Sequence, residues 1–151
     1  MQTFMPYSDF TASLNCLDYK RLGKQRVETK QLLNALAGLT KGWVNHPAAK
    51  MWRGHEAALA RYGAISSRLW LERGYKDSLL PFFEEQEKLW AAKTGIDKPH
   101  WMGDERVHAS HRSNLLRKDK VFYGAYGWTE PDTLPYLWPV LTDYGYRLSE
   151  I

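Results

Sequence analysis

Glycine placement constrains this chain more than any other feature: Gly38, Gly74 and Gly95 each follow a helix-compatible stretch, and each stretch begins at a residue suited to start one. Asp18 opens a segment that runs to Ala37 and stops at Gly38. Pro47, directly after His46, stands as the first residue of a helix expected over about 47 to 73 and ended by Gly74. Asp77 or Ser78 caps from upstream a helix over about 81 to 93, closed by Gly95. Ser8 or Asp9 starts a short helix over about 9 to 17, and Asp104 starts another over about 105 to 118. No run of alternating strand residues, internal repeat or low-complexity stretch interrupts this pattern. The fold class read from it is all-α, a compact helical bundle in a single domain over residues 1–151.

Beyond Lys120 the pattern changes to Tyr123-Gly124-Ala125-Tyr126-Gly127-Trp128, with Pro131, Pro135 and Pro139 among further aromatics. Proline removes backbone donors and disfavours helix in the residue before it, so this tail is expected to be irregular. At 151 residues the chain carries enough apolar sequence for one core and too little for two. No apolar run approaches the roughly 20 residues of a membrane span, and the opening Met1 to Pro6 lacks the basic and apolar regions of a secretory signal. The expected location is the cytoplasm. Cys16 is the sole cysteine, which excludes an intrachain disulfide and a cysteine-based zinc site.

Basic residues outnumber acidic ones 21 to 17, and the sequence pI is about 9.1, which favours a polyanionic partner. Their distribution says more. Lys20, Arg21, Lys24, Arg26 and Lys30 fall in one segment, and Arg112, Arg117, Lys118 and Lys120 in another. Seven Trp and nine Tyr accompany them, a combination suited to stacking on bases while neutralising phosphates, although aromatic residues also build cores.

Within the segment from Leu17 to Leu36, helical spacing puts Arg21, Lys24, Glu28 and Gln31 on one face, while Leu22, Leu32, Leu33 and Leu36 point toward the core. A single carboxylate therefore sits in a cationic stripe. Lys24 and Glu28 are four apart, so spacing alone favours an ordinary exposed ion pair.

Met1-Gln2-Thr3-Phe4 with Pro6-Tyr7, then Leu17-Asp18, Arg21 through Glu28, Asn45-His46-Pro47, Met51-Trp52-Arg53-Gly54 and Ser110 through Leu115 resemble the pyrimidine-dimer DNA glycosylases of the endonuclease V type. The likeness is to a bacterial and phage branch beginning Met-Gln-Thr-Phe, and it extends over most of the chain. It implies a compact helical domain that cuts the glycosidic bond of a damaged pyrimidine in double-stranded DNA and then the adjoining strand. The family's nucleophile is the α-amine of the first residue and its essential carboxylate a Glu on an early helix. By the spacing from Leu17-Asp18, that Glu falls on Glu28. Well-known members expose a small residue, usually Thr, after methionine loss, whereas bulky Gln2 disfavours removal of Met1 and leaves Met1 itself as the candidate amine. The chemistry agrees: an α-amine has a reference pKa near 7.7 to 8.0, against about 10.4 for lysine, and a nearby carboxylate stabilises the oxocarbenium character of the sugar as the base departs. Lys20 and Lys24 are the fallback amines.

Met1 and Glu28 are thus the candidate catalytic pair, and Arg21, Lys24, Arg26, His46, Arg53, His111, Arg112, Asn114, Arg117 and Lys118 the candidate DNA contacts. His108 and His111, three apart with Glu105 nearby, invite a metal site, but no complementary ligands stand elsewhere, so neither metal nor cofactor is expected. Tyr123, Tyr126, Trp128, Tyr136 and Trp138 serve either as a wedge that opens a kinked duplex or as an apolar flap over the helices. The expected partner is double-stranded DNA bound by a monomer, with no membrane. Two other readings stay open on the same scaffold: a non-catalytic protein that binds distorted DNA, and an enzyme of modified-base metabolism.

Overall fold

The computed structural model describes residues 1–96 and 98–150. It is dominated by helices: α1 (Phe10–Asn15), α2 (Tyr19–Leu36), α3 (Pro47–Trp52), α4 (Glu56–Glu72), α5 (Leu80–Thr94), α6 (Glu105–Lys118) and α7 (Lys120–Gly124). The starts follow the capping chemistry of the sequence. Asp9 accepts from the Ala12 N–H at 2.8 Å to open α1, and Asp104 accepts from the Arg106 N–H at 3.1 Å to open α6. Asp77 accepts from the N–H groups of both Leu79 and Leu80 ahead of α5. Asp18 precedes α2 but makes no cap bond, its carboxylate being taken by Arg21 and the Tyr123 hydroxyl.

The single helix expected over 47 to 73 is two. Arg53 adopts an extended ψ of 126° and Gly54 a φ of 88°, which only glycine takes without strain, and the chain turns before α4 begins. Glu56 accepts from the Gly54 N–H at 2.6 Å and holds the turn. The tail also departs from expectation. Trp138–Thr142 (β1) and Gly145–Ser149 (β2) pair antiparallel from Trp138↔Ser149 to Thr142↔Gly145, joined by Asp143 and Tyr144. The chain is therefore mostly helical and not purely all-α. Pro139 obscured β1 in the sequence, yet proline is tolerated in a two-stranded ribbon because both strands are edges.

One continuous apolar cluster joins the N-terminal residues Phe4 and Met5 to Leu14, Leu22, Leu32, Trp52, Leu59, Tyr62, Phe83, Trp101, Leu115, Tyr123 and Trp138. α4 packs against both α2 and α5. At Gly63 the absence of a side chain makes room for Phe83, since an added Cβ would lie 2.5 Å from its ring. Trp52 and Trp101 meet edge to face at 5.1 Å, an arrangement contributing about 0.5–1.5 kcal/mol beyond area burial. No helix among the described residues is long and apolar enough to cross a membrane.

Candidate active site

The site is built on the first seven residues, which run inward and are gripped by side chains of α2, α4 and α6. The Gln2 N–H donates to Glu28 Oε2 at 3.2 Å, and the Gln2 carbonyl accepts from Gln25 Nε2 at 3.0 Å. The Phe4 N–H donates to Gln25 Oε1 at 2.9 Å, and the Phe4 carbonyl accepts from the Tyr62 hydroxyl at 2.8 Å. Met5 lies between two histidines one turn apart on α6: its N–H donates to His111 Nδ1 at 2.8 Å, and its carbonyl accepts from His108 Nδ1 at 2.7 Å. Arg112 donates to the Pro6 carbonyl at 2.7 Å, and Trp52 donates to the Thr3 hydroxyl at 2.7 Å. Buried backbone groups need partners, and here side chains supply them at fixed positions.

These contacts bring the start of the chain to the cationic face of α2. Met1 and Glu28 line one cleft of about 320 Å³, with Gln2, Phe4, Lys20, Arg21, Lys24, Lys118 and Tyr136. Because the neighbouring Gln2 N–H is bonded to Glu28, covalent geometry keeps the α-amine within about 7 Å of that carboxylate. The cleft gathers four basic side chains around one acid. Lys118 is held below the usual lysine range by partial burial and by the cations of Arg21, Arg117 and Lys24. His46 is also lowered, by burial and then by the positive charge of the Met1 amine.

The other sequence candidates are spread more widely. Arg26 turns away from the cleft, donates to Asp77 at 2.7 Å and lies over Trp70. His46 caps α3 by accepting from the Ala48 N–H at 3.0 Å, and Arg53 is exposed at the break between α3 and α4. Arg117 is exposed but reaches the Asp132 carbonyl at 2.8 Å, tying the tail to α6.

His111, Arg112 and Asn114 correct the expectation of a phosphate-binding face on α6. All three are buried, because α6 is covered by the N-terminal segment and by the tail. His111 holds Met5, and Arg112 holds Pro6, Glu105 and Glu130. Asn114 donates to the carbonyls of Ser110 and Leu134. His108 uses both ring nitrogens on the backbone of Met5 and Gly103. Among the described residues no group of three or more His, Cys, Asp or Glu converges as a metal site requires.

The tail aromatics behave mainly as a cover. Tyr123 is fully buried and stacks on Trp128, which donates to the Tyr7 hydroxyl at 2.9 Å; Tyr136 alone of the five lines the cleft. Sequence reasoning missed Gln25, whose amide joins Gln2, Phe4 and Tyr62; a glutamine in line with the core leucines of α2 was its only signal.

A family model described as pyrimidine dimer DNA glycosylase matches residues 1–80, the stretch that supplies Met1, Glu28 and the grip of α2 and α4. No curated protein and no solved structure matches the chain. That match spans more than half of the 151 residues, and the chain belongs to the pyrimidine dimer DNA glycosylase family.

Proposed function

We propose that this protein is a DNA repair glycosylase with associated AP-lyase activity, acting on damaged or modified pyrimidines, pyrimidine dimers among them, in double-stranded DNA. The observation that carries this reading is the shared cleft of the Met1 α-amine and the Glu28 carboxylate, linked through the Gln2 N–H. The unprotonated amine attacks C1′ of the damaged nucleotide, and the N-glycosidic bond breaks with its electron pair passing to the base, which takes up a proton. The first N–H proton balances the one taken up by the base; the C1′–O4′ bond then breaks, O4′ takes the second N–H proton, and an imine joins Met1 to C1′. Loss of the C2′ proton then expels the 3′-phosphate and cuts the strand. Glu28 stabilises the positive charge on the sugar and accepts the C2′ proton, while Lys20, Arg21, Lys24 and Lys118 receive the flanking phosphates. No metal or cofactor takes part in this scheme.

The competing reading, a binding protein without chemistry, differs in one measurement. Glu28→Gln keeps the shape of the side chain but cannot stabilise positive charge, so DNA affinity should stay within a few-fold while cleavage of a dimer-containing duplex falls by at least about a hundredfold. Cleavage at the parent rate would remove Glu28 from the chemistry.

A further inference from the structure

We propose that the turn over residues 41–46 probes the duplex, with the Trp43 indole entering the base stack beside the lesion; this rests on the DNA-acting reading above. Trp43 has a φ of 67° and is the only non-glycine residue with positive φ among the described residues. For a bulky aromatic residue that is a strained backbone, and strain of this kind persists where function requires a particular side chain in a particular place. Gly42, which would take such a φ freely, stands next to it and does not.

The strain is not offset by burying the indole. Trp43 remains 44% exposed and is the one tryptophan among the large exposed hydrophobic residues. Its ring contact is with His46, edge to face at 5.4 Å. The main chain is better held than the side chain, since the Trp43 carbonyl accepts from the His46 N–H at 3.0 Å. The mounting also leads to the cleft: His46 meets Trp138 at 5.7 Å, and Trp138 meets Tyr136, which lines the cleft, at 5.5 Å. Exposed Lys41 and Arg53 flank the turn. A half-free indole on a turn that carries Lys41 and meets Arg53, linked through three ring contacts to Tyr136 of the cleft, fits a residue that fills the gap left in the stack while phosphates are neutralised around it.

The test uses a short duplex with a central tetrahydrofuran abasic analogue and 2-aminopurine beside it, compared with the undamaged duplex. The parent should prefer the damaged duplex and quench the 2-aminopurine fluorescence as the indole stacks against it in the gap. Trp43→Ala and Trp43→Gly should lose that quenching and about tenfold of the preference, with undamaged affinity within about twofold of the parent. Trp43→Gly should melt at or above the parent temperature, because glycine relieves the left-handed strain, whereas an indole that merely packs would leave a gap and lower it. Trp43→Phe should retain most of the preference. A discriminating parent with unchanged Ala and Gly variants would overturn the inference and leave the DNA-acting reading in place. A parent that binds both duplexes alike would sink that reading, and the inference with it.

Discussion

Residues 2–7 and the β1–β2 hairpin satisfy their backbones in opposite ways. In the N-terminal segment the N–H groups of Gln2, Thr3, Phe4, Met5 and Tyr7 all donate to side chains, and the Gln2, Phe4, Met5 and Pro6 carbonyls accept from side chains. The hairpin is a self-paired ladder from Trp138↔Ser149 to Thr142↔Gly145, with Leu141 and Tyr144 exposed on its outer half. A ladder made of backbone groups accepts many sequences. A segment held by Gln25, Tyr62, His108, His111 and Arg112 accepts few, and in return Met1 is set in the cleft that Glu28 lines. The proposed nucleophilic amine depends on such placement, since its advantage lies in position.

The strongest break of this contrast is at Gln25. Gln25→Leu leaves the Gln2 carbonyl and the Phe4 N–H without partners and removes an acceptor from Tyr62. The loss should be about 2–5 kcal/mol in urea denaturation, with early amide exchange at residues 2–5.

Acid should act on the same segment with a smaller effect. Burial, then His108 and Arg112, push His111 down from 6.5 to about 3, which keeps it neutral as the acceptor for the Met5 N–H. Between those values the unfolded chain binds more protons than the folded one. The stability contributed is therefore whole above about pH 6.5 and falls as pH drops toward about 3, by an amount on the order of a few kcal/mol. His111→Asn, whose amide oxygen can replace Nδ1, should flatten the slope over that window. Some slope should remain, because burial also lowers His108.

The hairpin tip gives the smallest effect. Tyr144 is fully exposed, and Tyr144→Ser should stay within about 0.5 kcal/mol of the parent in the same denaturation. A loss approaching that of Gln25→Leu would show that the tail is not the tolerant partner in this contrast.

The same contrast explains what the sequence disclosed. Helix starts at Asp9, Asp77 and Asp104 were legible because capping is local chemistry, written within a few residues. The break at Gly54 was hidden inside a longer helical pattern, and β1 was hidden by Pro139. In the candidate site, the family pattern pointed to Glu28, which shares a cleft with Met1. The inward roles of His111, Arg112 and Asn114 were not, because a basic or polar residue looks the same in sequence whether it meets a phosphate or a carbonyl more than a hundred residues away in the chain, as Arg112 meets Pro6. Gln25 stayed silent for the same reason.

Borohydride trapping on a dimer-containing duplex, followed by peptide mapping of the adduct by mass spectrometry, tests the role of the N-terminal amine most directly. One covalent adduct is expected, carried on the peptide containing Met1. Acetylating the α-amine should abolish it while leaving the melting temperature and the affinity for undamaged DNA nearly unchanged. An adduct mapped to Lys20, Lys24 or Lys118, or one that survives acetylation undiminished, would contradict the account and move the nucleophile off the chain terminus.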